Sequence, residues 1–203
     1  MSSDAARPRP DDWQSAADRF PDRLDALLAK HWPPGRGRIV GPAQGIGGAD
    51  LNALLADADG VARLVRRFQA AQGEADARAT ASVWSQWYLA TTWPVLIGAA
   101  LIFEEIPPLT PDAVALALDA ECRPVGLELR RPARPAAPAA TLHTIVFEQS
   151  APLLQAVTRT GRLPQRIVWS NAAAVLTWTV TQLEQRLEPE RVGRTVEIGR
   201  AHV

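Results

Sequence analysis

The chain has one cysteine, Cys122, in 203 residues. An intrachain disulfide framework is therefore excluded, and a reducing compartment fits. It also has no surplus of charge: 22 Lys and Arg stand against 22 Asp and Glu. Non-specific nucleic-acid binding depends on a basic excess that releases counterions, so no nucleic-acid partner is expected. Lysine is scarce as well, Lys30 being the only one. With so much Ala and Arg, that bias reflects GC-rich coding DNA rather than a functional choice. What is not scarce is apolar surface: 47% of residues are hydrophobic and 22% charged. That balance excludes disorder throughout and allows one sizeable core. Residues 1–12 are polar, carry Pro8 and Pro10 and contain no apolar signal-peptide run; they read as a flexible tail.

No charged residue lies between Arg78 and Glu104. Such a run could span a bilayer, which takes about 20 residues. Thr80, Ser82, Ser85, Gln86, Thr91, Thr92, Pro94 and Gly98 make it polar for that purpose, so a buried core helix is the expectation.

Apolar spacing predicts a first helix over 13–31, with Phe20, Leu24, Leu27 and Leu28 on one face, and a short extended piece at 38–40. The Gly-rich stretch 41–48 precedes a second helix over 49–72, with Asp50 as N-cap. Its glycines do not have G-x-G-x-x-G spacing, so an ordinary loop is favoured over a phosphate cradle. A third helix is expected over 74–92, kinked or broken at Pro94. Alternation of Val114, Leu116 and Leu118, then Val125, Leu127 and Leu129, predicts a hairpin with one buried face. Helices over 141–160, capped by Gly161, and over 164–187 complete an α+β fold: a mainly helical single domain with about five helices and one β-hairpin.

Motif chemistry supplies no complete active site. His31, His143 and His202 are not at metal-ligand spacing with one another or with Cys122. There is no H-E-x-x-H, P-loop or G-x-S-x-G. Cys122 falls in the hairpin turn and reads as a structural thiol, and His143, near a helix start, as a surface or capping residue.

Aromatic placement stands out instead. Ser82-Val83-Trp84-Ser85-Gln86-Trp87-Tyr88 puts Ser82, Ser85 and Gln86 on one helical face and Trp84, Trp87 and Tyr88 on another. Trp169-Ser170-Asn171 is a second Trp with polar neighbours. Both clusters read either as core with internally satisfied polar groups or as ligand contacts.

These clusters, followed by an apolar run with Pro94, and then by Ala151-Pro152-Leu153-Leu154 and Leu163-Pro164-Gln165-Arg166-Ile167-Val168-Trp169-Ser170-Asn171-Ala172-Ala173, resemble the FhuF-like ferric-siderophore reductases. The resemblance covers roughly 74–185. It implies reduction of ferric iron held by a hydroxamate or similar chelator on the cytoplasmic side. One electron releases the metal, because ferrous iron binds such oxygen ligands far more weakly. The partners implied are a ferric siderophore and an electron donor that the sequence does not identify, and peripheral association with the inner membrane stays open. On this reading Trp84, Gln86, Tyr88, Trp169 and Asn171 line the siderophore, the rings packing against the chelator and the amides donating to its oxygens. The family's cofactor is a 2Fe–2S cluster held by four C-terminal cysteines, an adjacent pair followed by Cys-x-x-Cys. Cys122 alone cannot supply that set, so the cluster's ligands are absent from this chain.

Residues 198–203 also match the translation of a short-read sequencing adapter, and Glu197 can come from the junction codon. The expectation is a family domain over 13–196, cut before its cysteines, with 197–203 derived from the adapter. Two other readings stand beside the reductase. One is a non-redox module that binds a ferric siderophore or a partner. The other is a siderophore-synthetase-like domain, for which the 41–48 loop is the one hint of a nucleotide site.

Overall fold

The computed structural model describes residues 39–40, 48–57, 59–73, 75–102, 114–129 and 143–185. The expected helix over 13–31, most of the Gly-rich stretch and the residues after 185 lie outside these. The described elements are β1 (Ile39–Val40), β2 (Gly48–Asp50), α1 (Leu51–Ala56), α2 (Gly60–Ala71), α3 (Ala77–Ile102), β3 (Val114–Leu118) and β4 (Pro124–Leu129). A π-helical segment, Thr144–Ser150, then runs into α4 (Ala151–Gly161), and α5 is Gln165–Glu184. The fold is mainly helical with an antiparallel hairpin, as the sequence periods predict.

The third helix is longer and better defined than its sequence suggests. Asp76 caps it: its carboxylate oxygen accepts the Ala79 amide at 2.9 Å, so α3 begins at Ala77 rather than Glu74. It also runs unbroken through Pro94 to Ile102. A proline inside a helix removes one hydrogen bond and costs about 3 kcal/mol in isolation. Here residues 91–97 are all buried, and packing on every side holds the helical path. The Thr91 and Thr92 hydroxyls donate back to the Trp87 and Tyr88 carbonyls, both at 2.7 Å, which lets polar side chains sit in this core. No described helix is long and apolar enough to cross a membrane.

The expected helix over 49–72 is two helices. Its chain turns at Asp57–Asp59, where the Asp57 carboxylate accepts the Asp59 amide at 3.0 Å and pairs with Arg63. Asp50 ends β2, and the helix begins at the next residue. Val61, Val65 and Phe68 of α2 are buried as their spacing implies.

The hairpin differs from expectation in its burial. All of β3 is buried, not one face of it. β3 is an interior strand of a four-stranded sheet in the order β1-β4-β3-β2. β2 pairs with it antiparallel on one side and β4 on the other, while β1 runs parallel to β4. Small Ala115 and Ala117 let the second face be covered closely. A register shift at Ala117/Leu118 sets Leu118 opposite Pro124 and Ala117 opposite Gly126. Val125 is therefore the extra residue of a bulge, and it is only half-buried.

α3 packs against α2, α4, α5 and β4. Ser150, just before α4, reaches Tyr88 and Trp93, whereas Gly161, at the end of α4, sits on Ala81. The two helices are therefore antiparallel. Gly161 was expected as the left-handed cap, but the residue with φ of 49° is Arg162. The Leu163 amide closes the end of α4 on the Thr158 carbonyl at 2.9 Å. Gly161 is instead demanded by the close approach of α3, where any Cβ would collide with the Ala81 methyl.

Replacing Gly161 by Ala should thus lower stability by about 1–3 kcal/mol, the range for overpacking a filled core. The midpoint of urea unfolding measures the loss, and adding Ala81→Gly should recover part of it.

Candidate functional site

The uncharged face of α3 contributes three large aromatics to the core, and each carries a polar tip that must find a partner. Trp84 is 0% exposed and Tyr88 2%; their rings lie parallel with centroids 6.1 Å apart. The Trp84 indole N–H donates to the Cys122 carbonyl at 2.9 Å. The Trp93 indole donates to the Ser150 hydroxyl, also at 2.9 Å. That hydroxyl lies 3.2 Å from the Tyr88 phenol oxygen. One serine at the end of the π-helical segment therefore serves two aromatic residues of α3.

Cys122 takes its place through the turn that joins β3 to β4. Asp119 Oδ1 accepts the amides of Glu121 and Arg123, at 3.0 and 2.9 Å. The Cys122 amide donates to the Asp119 carbonyl at 3.0 Å, and φ at Cys122 is 63°. This left-handed turn aims the Cys122 carbonyl at Trp84. Arg123 pairs with Asp119 at 2.8 Å and lays its guanidinium 5.1 Å from the centre of the Trp87 ring. The Cys122 thiol itself is buried, in keeping with a structural role.

The five residues expected at the siderophore are thus divided. Trp84 and Tyr88 are brought together, but inside the core, with their polar atoms bonded internally. Gln86 is exposed, on the far side of α3 from them. Trp169 and Asn171 are half-buried on α5; Trp169 packs on the core edge, and the Asn171 amide nitrogen is buried without a hydrogen-bond partner. Of the polar face of α3, Ser85 is buried and donates to the Ser82 carbonyl at 2.7 Å. Trp87, grouped with Trp84 and Tyr88 by spacing, is 38% exposed.

Several residues of interest are not marked by any sequence motif. Ser150 directly precedes Ala151-Pro152-Leu153-Leu154, the one signal that could have drawn attention to it. Gln149, beside it, is fully buried with its amide nitrogen unpartnered. Both belong to the π-helical segment, a geometry that recurs at functional positions and that periodicity does not reveal. His143 is exposed, 3.8 Å from the Glu148 carboxylate and against Phe147. Among the described residues no cluster of His, Cys, Asp and Glu could hold a metal ion. A 2Fe–2S cluster needs four protein ligands, and the one thiol of the 203 residues is buried in a turn. The residues present do not fit that group.

Burial pushes the Tyr88 hydroxyl above the ordinary tyrosine value of 10.0, against the opposing hydrogen bonds from Ser150 and Thr92. The folded state thereby favours the neutral phenol. Its contribution to stability is complete below pH 10 and is lost as pH rises toward the folded value, because the unfolded chain ionises first. Tyr88 is the only tyrosine, so tyrosinate absorbance reports on it alone. In an alkaline titration that absorbance should rise together with loss of helical circular dichroism. Tyrosinate forming in a still-folded chain at pH 10 would contradict the burial.

Residues 82–196 match the family model described as ferric iron reductase FhuF-like transporter. Over 110 residues the chain is 26% identical to the ferric siderophore reductase of Escherichia coli (strain K12), an alignment that covers 52% of this chain and 42% of that relative. The chain therefore matches less than half of that relative's length. The family match takes in most of α3, the hairpin, the π-helical segment, α4 and α5. With more than half of its residues matched, the chain belongs to the FhuF-like ferric iron reductase family.

Proposed function

We propose that the chain is the siderophore-binding body of a ferric-siderophore reductase that releases iron in the cytoplasm. The observation that carries this reading is the family match over 82–196, together with the name of the Escherichia coli relative. Ferric iron is held tightly by hard oxygen donors, and ferrous iron far less so. Transfer of one electron to the bound chelate would free the metal without breaking a covalent bond of the chelator. The redox centre that delivers the electron is not drawn from these 203 residues, since four thiolate ligands are lacking.

The part this chain plays is to bind and orient the chelate. Of the five expected residues, Gln86, Trp169 and Asn171 have surface to offer. The unpartnered Asn171 amide is suited to donate to a chelate oxygen, and the Trp169 indole to pack beside it. Trp84 and Tyr88 act from behind, fixing α3 against the hairpin turn and the π-helical segment. The single buried cysteine favours a second reading, in which the chain binds the ferric siderophore with no redox chemistry of its own.

Titration of the chain with a ferric trihydroxamate and with ferric citrate, followed by tryptophan fluorescence, tests the reading. At least one should bind, and Trp169→Ala or Asn171→Ala should raise its Kd about tenfold, the loss of one good polar or aromatic contact. Affinity unchanged in both variants would remove these residues from the site. Binding of neither chelate would remove the function.

A further inference from the structure

A cleft of about 270 Å³ opens between α2 and α4, lined by Asp59, Ala62, Arg66, Ala156, Arg159 and Thr160. A smaller cavity of about 130 Å³ adjoins it, sharing Ala156 and Arg159 and adding apolar Leu54, Leu55 and Val61. None of the five residues expected at the siderophore lines either. The α2 wall lies upstream of the stretch that matches the family model, which begins at residue 82. Nothing about the family therefore assigns it a role.

The charges of the cleft are unevenly used. Asp57, which lines the adjoining cavity, is taken up by Arg63, and that guanidinium holds its carboxyl below the usual carboxylate range. Thr160 donates its hydroxyl to the Ala156 carbonyl at 2.9 Å, which leaves its oxygen free only to accept. Arg66 and Arg159 are exposed and enter no ion pair among the described residues. They come from two different helices and converge on one concavity. Against them stands the single carboxylate of Asp59, so positive charge is in excess. Two guanidinium forks about a small cleft suit the planar, bidentate recognition of a carboxylate. The volume lies just below the usual range for a ligand pocket, about 300–1,000 Å³. It is the size of one arm of a ligand rather than of a whole siderophore.

We propose that Arg66 and Arg159 form a subsite for a carboxylate arm of the iron chelate, which makes negatively charged, carboxylate-bearing ferric chelates the preferred substrate class over uncharged trihydroxamates. The arm enters between α2 and α4, each guanidinium donates to its oxygens, and the Leu54–Leu55–Val61 side of the adjoining cavity meets the arm's carbon backbone. This inference rests on the chelate-binding function proposed above for its identification of the ligand.

The test uses the full chain and four variants: Arg66→Gln, Arg159→Gln, the double variant, and Arg67→Gln as a control. Arg67 is exposed on the same helix but does not line the cleft. All three arginines are solvent-exposed, so the fold should survive each change, and circular dichroism verifies it. Calorimetric titration is run with ferric citrate, with an uncharged ferric trihydroxamate, and with inorganic phosphate. The expected result is tighter binding of ferric citrate than of the trihydroxamate, weakened about tenfold by each cleft substitution and not by Arg67→Gln. Ferric citrate binding that is indifferent to both cleft arginines overturns the subsite. Phosphate binding as tightly as ferric citrate, with the same arginine dependence, overturns the chelate assignment and leaves a general anion site. Trihydroxamate binding alone overturns the subsite while the function stands. Binding of neither chelate removes the function and this inference together.

Discussion

The core of this protein is built around one helix that has no charge along most of its length but several polar tips. Buried indole and phenol groups are tolerated only when bonded, so α3 can be packed only where acceptors are waiting. Two positions meet that demand: the Cys122 carbonyl in the hairpin turn and the Ser150 hydroxyl before α4. Each lies far away in sequence. The sheet and the helical layer are thereby fastened to the same helix, by Trp84 on one side and by Trp93 with Tyr88 on the other. The left-handed turn at Cys122, the Asp119 bonds that hold it and the Arg123–Trp87 stack all follow from the first fastening. The antiparallel return of α4, tight enough to require Gly161, follows from the second.

Much of this was legible in the residue pattern, and the exceptions have physical causes. The helical periods of α2, α4 and α5 and the alternation in β3 and β4 reflect local geometry, and they appear where expected. Pro94 does not end α3, because its low helix propensity is outweighed by burial on all sides. The split between α1 and α2 arises from Asp57 side-chain bonds that compete with the helix. The covered second face of β3 depends on β2, a strand of three residues too short to carry a period. Gly161 stands out in the sequence at the end of its helix, but the need for glycine comes from a neighbouring helix rather than from its own φ. The aromatic clusters were visible as unusual, yet spacing alone did not separate a ring buried against its own core from one facing a ligand. Trp84 and Trp87 differ by three residues and by complete burial against partial exposure.

The family match falls on the packed helices and the hairpin. The matched region carries the frame that positions Trp169 and Asn171. It does not contain the thiolates that a cluster requires. The cleft between α2 and α4 is set in the same way, by side chains that two packed helices bring together.

The indole N–H groups of Trp84 and Trp93 make structural hydrogen bonds that fasten α3 to its neighbours. Hydrogen exchange at those groups, followed by NMR in the intact chain, tests it most directly. Trp84 and Trp93 should exchange as slowly as the buried amides of α3. Ser150→Ala should release Trp93 while leaving Trp84 protected, because the two depend on different acceptors. Fast exchange of either in the unmodified chain, or release of both together, would contradict the account.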